Sequence, residues 1–193
     1  MNTDFHELTI AGVRQDAEDA IVITFATPPA LRDAYRFEPG QHLTLRATVD
    51  GTDLRRSYSI CSADYEGRLA IGVRKVPGGA FSGWLHGHAR PGRAIAVMPP
   101  QGRFCVRPRA PGARHYLGVA AGSGITPILS ILKSVLARDP HSRFTLIYGN
   151  RTQKSTMFKE EIEDLKNRYM TRLALHLVFS REHMDLPLSL IHI

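Results

Sequence analysis

Ala121-Gly122-Ser123-Gly124-Ile125-Thr126-Pro127 joins a compact apolar run, His115–Ala121, to a segment in which Ile128, Ile131, Leu132, Val135 and Leu136 recur at helical spacing. Thr126 reads as an N-cap and Pro127 as the first helical position, where its missing N–H costs nothing. A strand that passes through a glycine-rich turn into a helix lets backbone N–H groups approach a pyrophosphate, and the helix dipole favours negative charge there. The turn holds a G-x-G and lacks the third glycine of the usual dinucleotide fingerprint. By itself that is weak, because a tight turn that only packs reads the same way. The strand–turn–helix context favours the binding reading.

Downstream the alternation continues. Phe144–Tyr148 reads as a second strand, Phe158, Ile162, Leu165 and Tyr169 as the apolar stripe of a second helix, and Leu173–Phe179 as a third strand. Strands alternating with helices imply a parallel sheet with right-handed crossovers. Ligands of such sheets bind at the carboxyl ends of the strands, and Ser180-Arg181-Glu182 follows the third strand. An arginine there is placed to meet the 2′-phosphate of NADP; a merely solvated arginine is the alternative.

Upstream, Pro108-Arg109-Ala110-Pro111-Gly112 resists both helix and sheet and reads as a linker. The expected units are therefore 1–108 and 109–193. In the first, candidate strands are Leu8–Arg14, Ile21–Phe25, His42–Val49, Leu54–Ile60, Leu69–Val73 and Ala94–Val97, with a short helix near Ala80–Leu85. Turn signals separate them, and Asp50-Gly51 is the best because a two-residue primed turn needs positive φ. Short strands at this spacing suggest an antiparallel barrel or sandwich.

Arg56-Ser57-Tyr58-Ser59 ends one of those strands. As an ordinary exposed strand it needs no function; as a site, Arg56 pairs a phosphate, Tyr58 stacks on an aromatic ligand and Ser59 offers a small hydroxyl. Gly72-Val73-Arg74-Lys75 follows, and then Gly78-Gly79-Ala80-Phe81-Ser82-Gly83-Trp84-Leu85. Glycines ahead of a short helix with a serine in its first turn make a second anion site, or else a hairpin loop beside a core tryptophan.

In this order and spacing, R-x-Y-S, G-V-R, G-x-x-S, G-S-G-I-T-P and S-R-E resemble the ferredoxin–NADP reductase superfamily, and Pro39-Gly40-Gln41 and Pro100-Gln101-Gly102-Arg103-Phe104 fit as well. The resemblance spans Leu8 to Arg181. It implies a six-stranded antiparallel β-barrel that binds FAD, followed by an α/β parallel-sheet nucleotide domain that binds NADPH. By position, Arg56, Ser57, Tyr58 and Ser59 would bind the flavin and its phosphates, with Tyr58 on the isoalloxazine and Ser59 near N5. Gly72, Val73 and Arg74 would line the flavin edge, Arg74 also nearing the NADPH phosphates. Gly79, Ala80, Phe81 and Ser82 would hold the FAD pyrophosphate, and Gly122, Ser123, Gly124 and Thr126 that of NADPH. Thr126 would reach the flavin and, with Tyr58 and Ser59, stand closest to the chemistry. Ser180 and Arg181, with Arg151, would read the 2′-phosphate.

Tyr148-Gly149-Asn150-Arg151-Thr152 and Phe158–Lys166 look like the oxygenase reductases of phenylacetate degradation, the phenylacetyl-CoA epoxidase type in particular. That implies electrons passing from NADPH through FAD to an iron–sulfur domain or ferredoxin, and on to an oxygenase component. A [2Fe-2S] cluster is expected only in a longer parent or a partner. Alternatives are a stand-alone flavin reductase and a non-catalytic FAD-holding module. Such proteins continue with further strands, a C-G-P-type motif and often a ferredoxin domain. The end, Pro187-Leu188-Ser189-Leu190-Ile191-His192-Ile193, is therefore read as a truncation or frame shift, the nucleotide domain as incomplete, and a short natural form as the alternative.

Bulk composition narrows the rest. The 193 residues are 43% hydrophobic and 22% charged, ordinary for a globular protein. The formal net charge of +7 favours anionic partners, but the arginines are spread out, which disfavours nucleic acid. No apolar run approaches the ~18 residues of a membrane span, and the first residues lack a secretory layout. A cytoplasmic protein without membrane contact is expected. Cys61 and Cys105 are the only cysteines and are expected to pack as small hydrophobes. His86 and His88 lack a third ligand at fitting spacing, so they are expected as exposed histidines and no metal site is expected.

Overall fold

A computed structural model of the chain describes residues 4–106 and 113–182. The first part is a six-stranded antiparallel sheet of β1 (His6–Ala17), β2 (Ala20–Ala26), β3 (His42–Val49), β4 (Thr52–Ser59), β5 (Leu69–Arg74) and β6 (Ala94–Val97), in the order β4-β3-β6-β1-β2-β5. The outer strands β4 and β5 meet where the chain runs on past the end of β4: Ile60 bridges Ile71 of β5, and Cys61 N–H donates to the Ala70 carbonyl at 2.9 Å. The sheet thereby closes into the expected barrel. Alternating inward residues fill it: Leu8, Ile10, Ile23, Leu43, Leu45, Ile71 and Val97 are buried together with Phe81 and Leu85 of helix α1 (Ala80–His88).

Asp50 and Gly51 carry φ of 48° and 77° and join β3 to β4 with Val49 paired to Thr52, the primed-turn geometry expected of this dipeptide. Strand β1 runs beyond its expected ends because His6 pairs Val97 at one end and Ala17 pairs Ala20 at the other. Helix α1 likewise runs three residues past Leu85, to His88. The Pro39-Gly40-Gln41 and Pro100–Phe104 segments lie against each other: Gln41 Nε2 donates to the Gly102 carbonyl and His42 N–H to that of Gln101.

The second part is a parallel sheet in the order β7-β8-β9, made of β7 (His115–Ala121), β8 (Arg143–Asn150) and β9 (Leu173–Phe179), with α2 (Ile125–Arg138) and α3 (Lys159–Arg168) as the crossovers. Two local expectations are corrected. Helix α2 starts at Ile125 with Gly124 as its N-cap, because Gly122–Gly124 already winds as a 3₁₀ turn. Thr126 therefore lies inside the first turn. Phe158 is the N-cap of α3 at φ 57° and not its first helical residue, and its N–H is taken by Asp16 of the barrel at 2.8 Å.

A second buried cluster crosses between the parts. Ala17, Ala20, Val22, Cys61 and Ala70 of the barrel pack with Ile125, Leu129, Leu132, Tyr148, Met157 and Phe158. Cys61 is buried as expected, whereas Cys105 is only half-buried, its thiol directed at the Gly102 carbonyl at 3.8 Å. The expected linker at 108–112 and the tail at 187–193 lie outside the described residues.

Candidate nucleotide-binding site

On the barrel, the pleat of β4 sets Arg56 and Tyr58 side by side on one face and turns Ser57 and Ser59 to the other. Arg56 is exposed and its guanidinium donates to the Arg55 carbonyl at 2.7 Å. Tyr58 is half-buried and stacks against Phe81 of α1, with centroids 6.3 Å apart and planes at 28°. Burial pushes the Tyr58 hydroxyl up to about 12, with Arg56 opposing in part, so it stays a neutral donor at physiological pH. Ser57 Oγ shares a hydrogen bond of 2.9 Å with Thr44 Oγ1.

The stacked pair sets Tyr58 against the start of α1. There Gly79 is the N-cap, no side chain caps the helix and no acidic residue stands in its first turn. The orphan amides of that turn are available to an anion. Ser82 is buried and turned inward: its Oγ accepts from Val76 N–H at 3.1 Å and donates to the Gly79 carbonyl at 3.3 Å, which fixes the turn those amides crown. His86 is half-buried with Nε2 at 3.1 Å from the Val73 carbonyl, and His88 is exposed beside Trp84. Among the described residues no group of histidine, cysteine and carboxylate side chains could hold a metal ion.

The parallel sheet supplies a matching helix start. Gly122 has φ 52°, and its carbonyl accepts the Tyr148 hydroxyl at 3.0 Å. Thr126 Oγ1 donates to the Ser123 carbonyl at 2.9 Å, and α2 has neither a side-chain cap nor an acidic residue in its first turn. Beyond this turn lies a cavity of about 790 Å³ lined by Asp19, Arg74, Ser123, Asn150, Arg151 and Ser180, among others. Arg181 is exposed beside it, its N–H held by the Arg151 carbonyl at 3.0 Å, while Ser180 N–H bonds that of Asn150 at 2.9 Å.

The structure thus brings Gly122, Ser123, Arg74, Arg151 and Ser180 around one cavity. Arg74 is anchored: one Nη donates to the Ser155 carbonyl at 2.5 Å and the other lies 3.5 Å from Asp19. Thr126 and Gly72 lie beneath, between barrel and sheet. A Cβ on Gly72 would come within 2.7 Å of the Thr126 methyl and 2.9 Å of Met157 and Phe158. Val76 and Pro77, from the loop that leads into α1, form part of the cavity wall. One loop therefore borders both helix starts. Sequence reasoning missed Asn150 and Asp19. Asn150 could have been found, since it ends the second parallel strand; Asp19, on a barrel hairpin, carried no signal.

A closed barrel and a parallel sheet, each presenting an uncapped helix start free of acidic side chains, make a protein built for two anionic nucleotides. A family model described as an oxidoreductase FAD-binding domain matches residues 8–105, and one described as an oxidoreductase NAD-binding domain matches residues 119–186. The chain belongs to the FAD- and NAD-binding oxidoreductases of the ferredoxin–NADP reductase type. It is 50% identical over 183 residues to one of the subunits of the 1,2-phenylacetyl-CoA epoxidase of Escherichia coli K12, covering 95% of this chain and 51% of that protein. It is 38% identical to the ferredoxin reductase component of 3-ketosteroid-9-alpha-monooxygenase of Rhodococcus rhodochrous, covering 87% of this chain and 47% of that one. It thus spans about half the length of both relatives. In fold it matches a ferredoxin NADP+ reductase of Neisseria gonorrhoeae with TM-score 0.77 at 22% identity, over 95% of this chain and 72% of that structure. No helix among the described residues is long and apolar enough to cross a membrane, which says nothing of strands.

Proposed function

We propose that the chain is the FAD- and NADPH-binding part of a reductase that delivers electrons to an iron–sulfur carrier, a ferredoxin domain or separate ferredoxin, serving the oxygenase component of a phenylacetate-degrading system. One observation carries this reading: the loop that leads into α1 also walls the cavity at the carboxyl ends of the parallel strands, so the two anion-ready turns share a border. The similarity to oxygenase reductase components supports the choice of partner.

FAD held there would supply the chemistry of accepting a hydride and releasing its electrons one at a time. The residues at hand do the holding. Arg56 offers a charge-assisted contact to a phosphate, and the amides of the first turn of α1, from Ala80 to Ser82, hold the remaining negative charge. Tyr58 offers a ring face backed by Phe81 and a hydroxyl that stays protonated. The Gly122–Thr126 turn and the anchored Arg74 take the nucleotide pyrophosphate, while Ser180, Arg151 and Arg181 meet a 2′-phosphate. Cross-packing at Gly72 and Thr126 keeps the two sites at fixed separation, which favours transfer between oriented partners.

The test is anaerobic mixing of FAD-reconstituted protein with NADPH, followed by addition of a [2Fe-2S] ferredoxin. Bleaching of the flavin and its recovery with the ferredoxin are expected. A bound flavin that stays oxidised with both NADPH and NADH would overturn the reading.

A further inference from the structure

Asn150 is 6% exposed and lines the cavity at the carboxyl end of the central strand β8. Neither its Nδ2 nor its Oδ1 has a hydrogen-bond partner among the described residues. The Tyr148 hydroxyl lies near this amide, but its own proton goes to the Gly122 and Met157 carbonyls, at 3.0 and 3.4 Å. Two further buried polar atoms without partners, Asp19 Oδ1 and Arg74 Nε, belong to side chains on the same cavity, and among the described residues only His6 Nε2 lies elsewhere. Unsatisfied buried polar atoms are uncommon because each forgoes the hydrogen bonds it had in water. Their concentration on one wall marks a surface shaped for a ligand.

We infer that Asn150 binds the adenosine ribose of the nicotinamide nucleotide, a role that rests on the nucleotide reading of this cavity. The position follows from strand order. Asn150 stands between the glycine turn after β7, suited to a pyrophosphate, and Ser180 after β9, at the 2′-phosphate end. The part of the nucleotide between those ends is the ribose. A carboxamide presents one acceptor and two donors, which complements adjacent ribose oxygens. The Asp19 oxygen only accepts and would repel a phosphate, so it suits a wall that also meets hydroxyl donors. Of the ribose oxygens the 3′-hydroxyl is common to NADPH and NADH, so Asn150 serves both nucleotides, unlike Arg181.

The test is calorimetric titration of the protein with ADP and with 2′,3′-dideoxy-ADP, together with thermal melting, for the wild type and Asn150→Leu. The wild type should prefer ADP by roughly tenfold, the worth of one or two hydrogen bonds. Asn150→Leu should lose that preference while melting at the same temperature or higher, because it removes polar atoms that the free protein leaves unsatisfied. A structural role would instead lower the melting temperature and weaken both ligands alike, which overturns the inference. Equal wild-type affinity for the two ligands also sinks it and leaves the nucleotide reading standing. If ADP does not bind at all, that reading falls and the inference falls with it.

Discussion

Gly72 shows at one residue what sequence could and could not convey. Its place in G-V-R was legible, and the resemblance suggested a flavin edge. Its contacts with Thr126, Met157 and Phe158 depend on two segments more than fifty residues away, which no local pattern encodes. A methyl there meets side chains on three sides, so Gly72→Ala is expected to cost about 1–3 kcal/mol in denaturant unfolding. The carboxyl ends of the strands were easier to read, because the alternating pattern locates them and polar residues there face ligands. Arg181→Ala is expected to weaken NADPH binding by roughly tenfold to a hundredfold and to leave NADH unchanged, since only NADPH carries the 2′-phosphate. Comparative titration of the two nucleotides checks this; an equal loss with both assigns Arg181 to structure.

Among the elements, α2 is the one that ties barrel to sheet, and its polar side does as much as its apolar one. Lys133 is almost fully buried, yet its ammonium lies 2.7 Å from Glu66 of the β4–β5 loop and 2.7 Å from Glu161 of α3. Ser130 Oγ donates to the Ser62 carbonyl at 2.6 Å, and Arg138 pairs with Asp64. Helical periodicity gave the apolar stripe of α2 but not this face, since a lysine on a helix is ordinarily solvated. Lys133→Ala strips two carboxylates of their shared partner and is expected to cost about 3 kcal/mol by chemical denaturation.

Burial alone would raise the Glu66 carboxyl, but Lys133 and Arg68 more than offset it and hold it below its ordinary 4.5. Its contribution to stability is therefore present above 4.5 and is lost as pH falls through the lowered folded value. Asp16 acts with the opposite sign. Burial raises it, against the opposing Phe158 amide and Arg14, so its contribution is greatest at low pH and is lost as pH rises through the raised value. Melting temperatures measured downward from pH 6 should accordingly fall less steeply for Glu66→Gln than for the wild type. An unchanged slope would assign the acid sensitivity to other carboxylates.

For the molecule as a whole, the succession of strand-rich and alternating segments was enough to anticipate a barrel followed by a parallel sheet. The intimacy of the two was not anticipated. Small residues on the outside of the barrel, Ala17, Ala20 and Ala70, carry little signal in a sequence, yet they form a floor on which α2 and the β8–α3 loop rest. The loop between β5 and α1 in turn borders both candidate sites. The central claim is that Arg56, Tyr58 and the start of α1 hold FAD, and it is tested most directly by titrating flavin-free protein with FAD while following flavin fluorescence. Binding of one FAD per chain with quenched fluorescence is expected. Arg56→Ala should weaken it roughly tenfold to a hundredfold through loss of a charge-assisted phosphate contact, and Tyr58→Ala should restore part of the fluorescence. Flavin that binds with the same affinity and the same quenching in both variants would contradict the account.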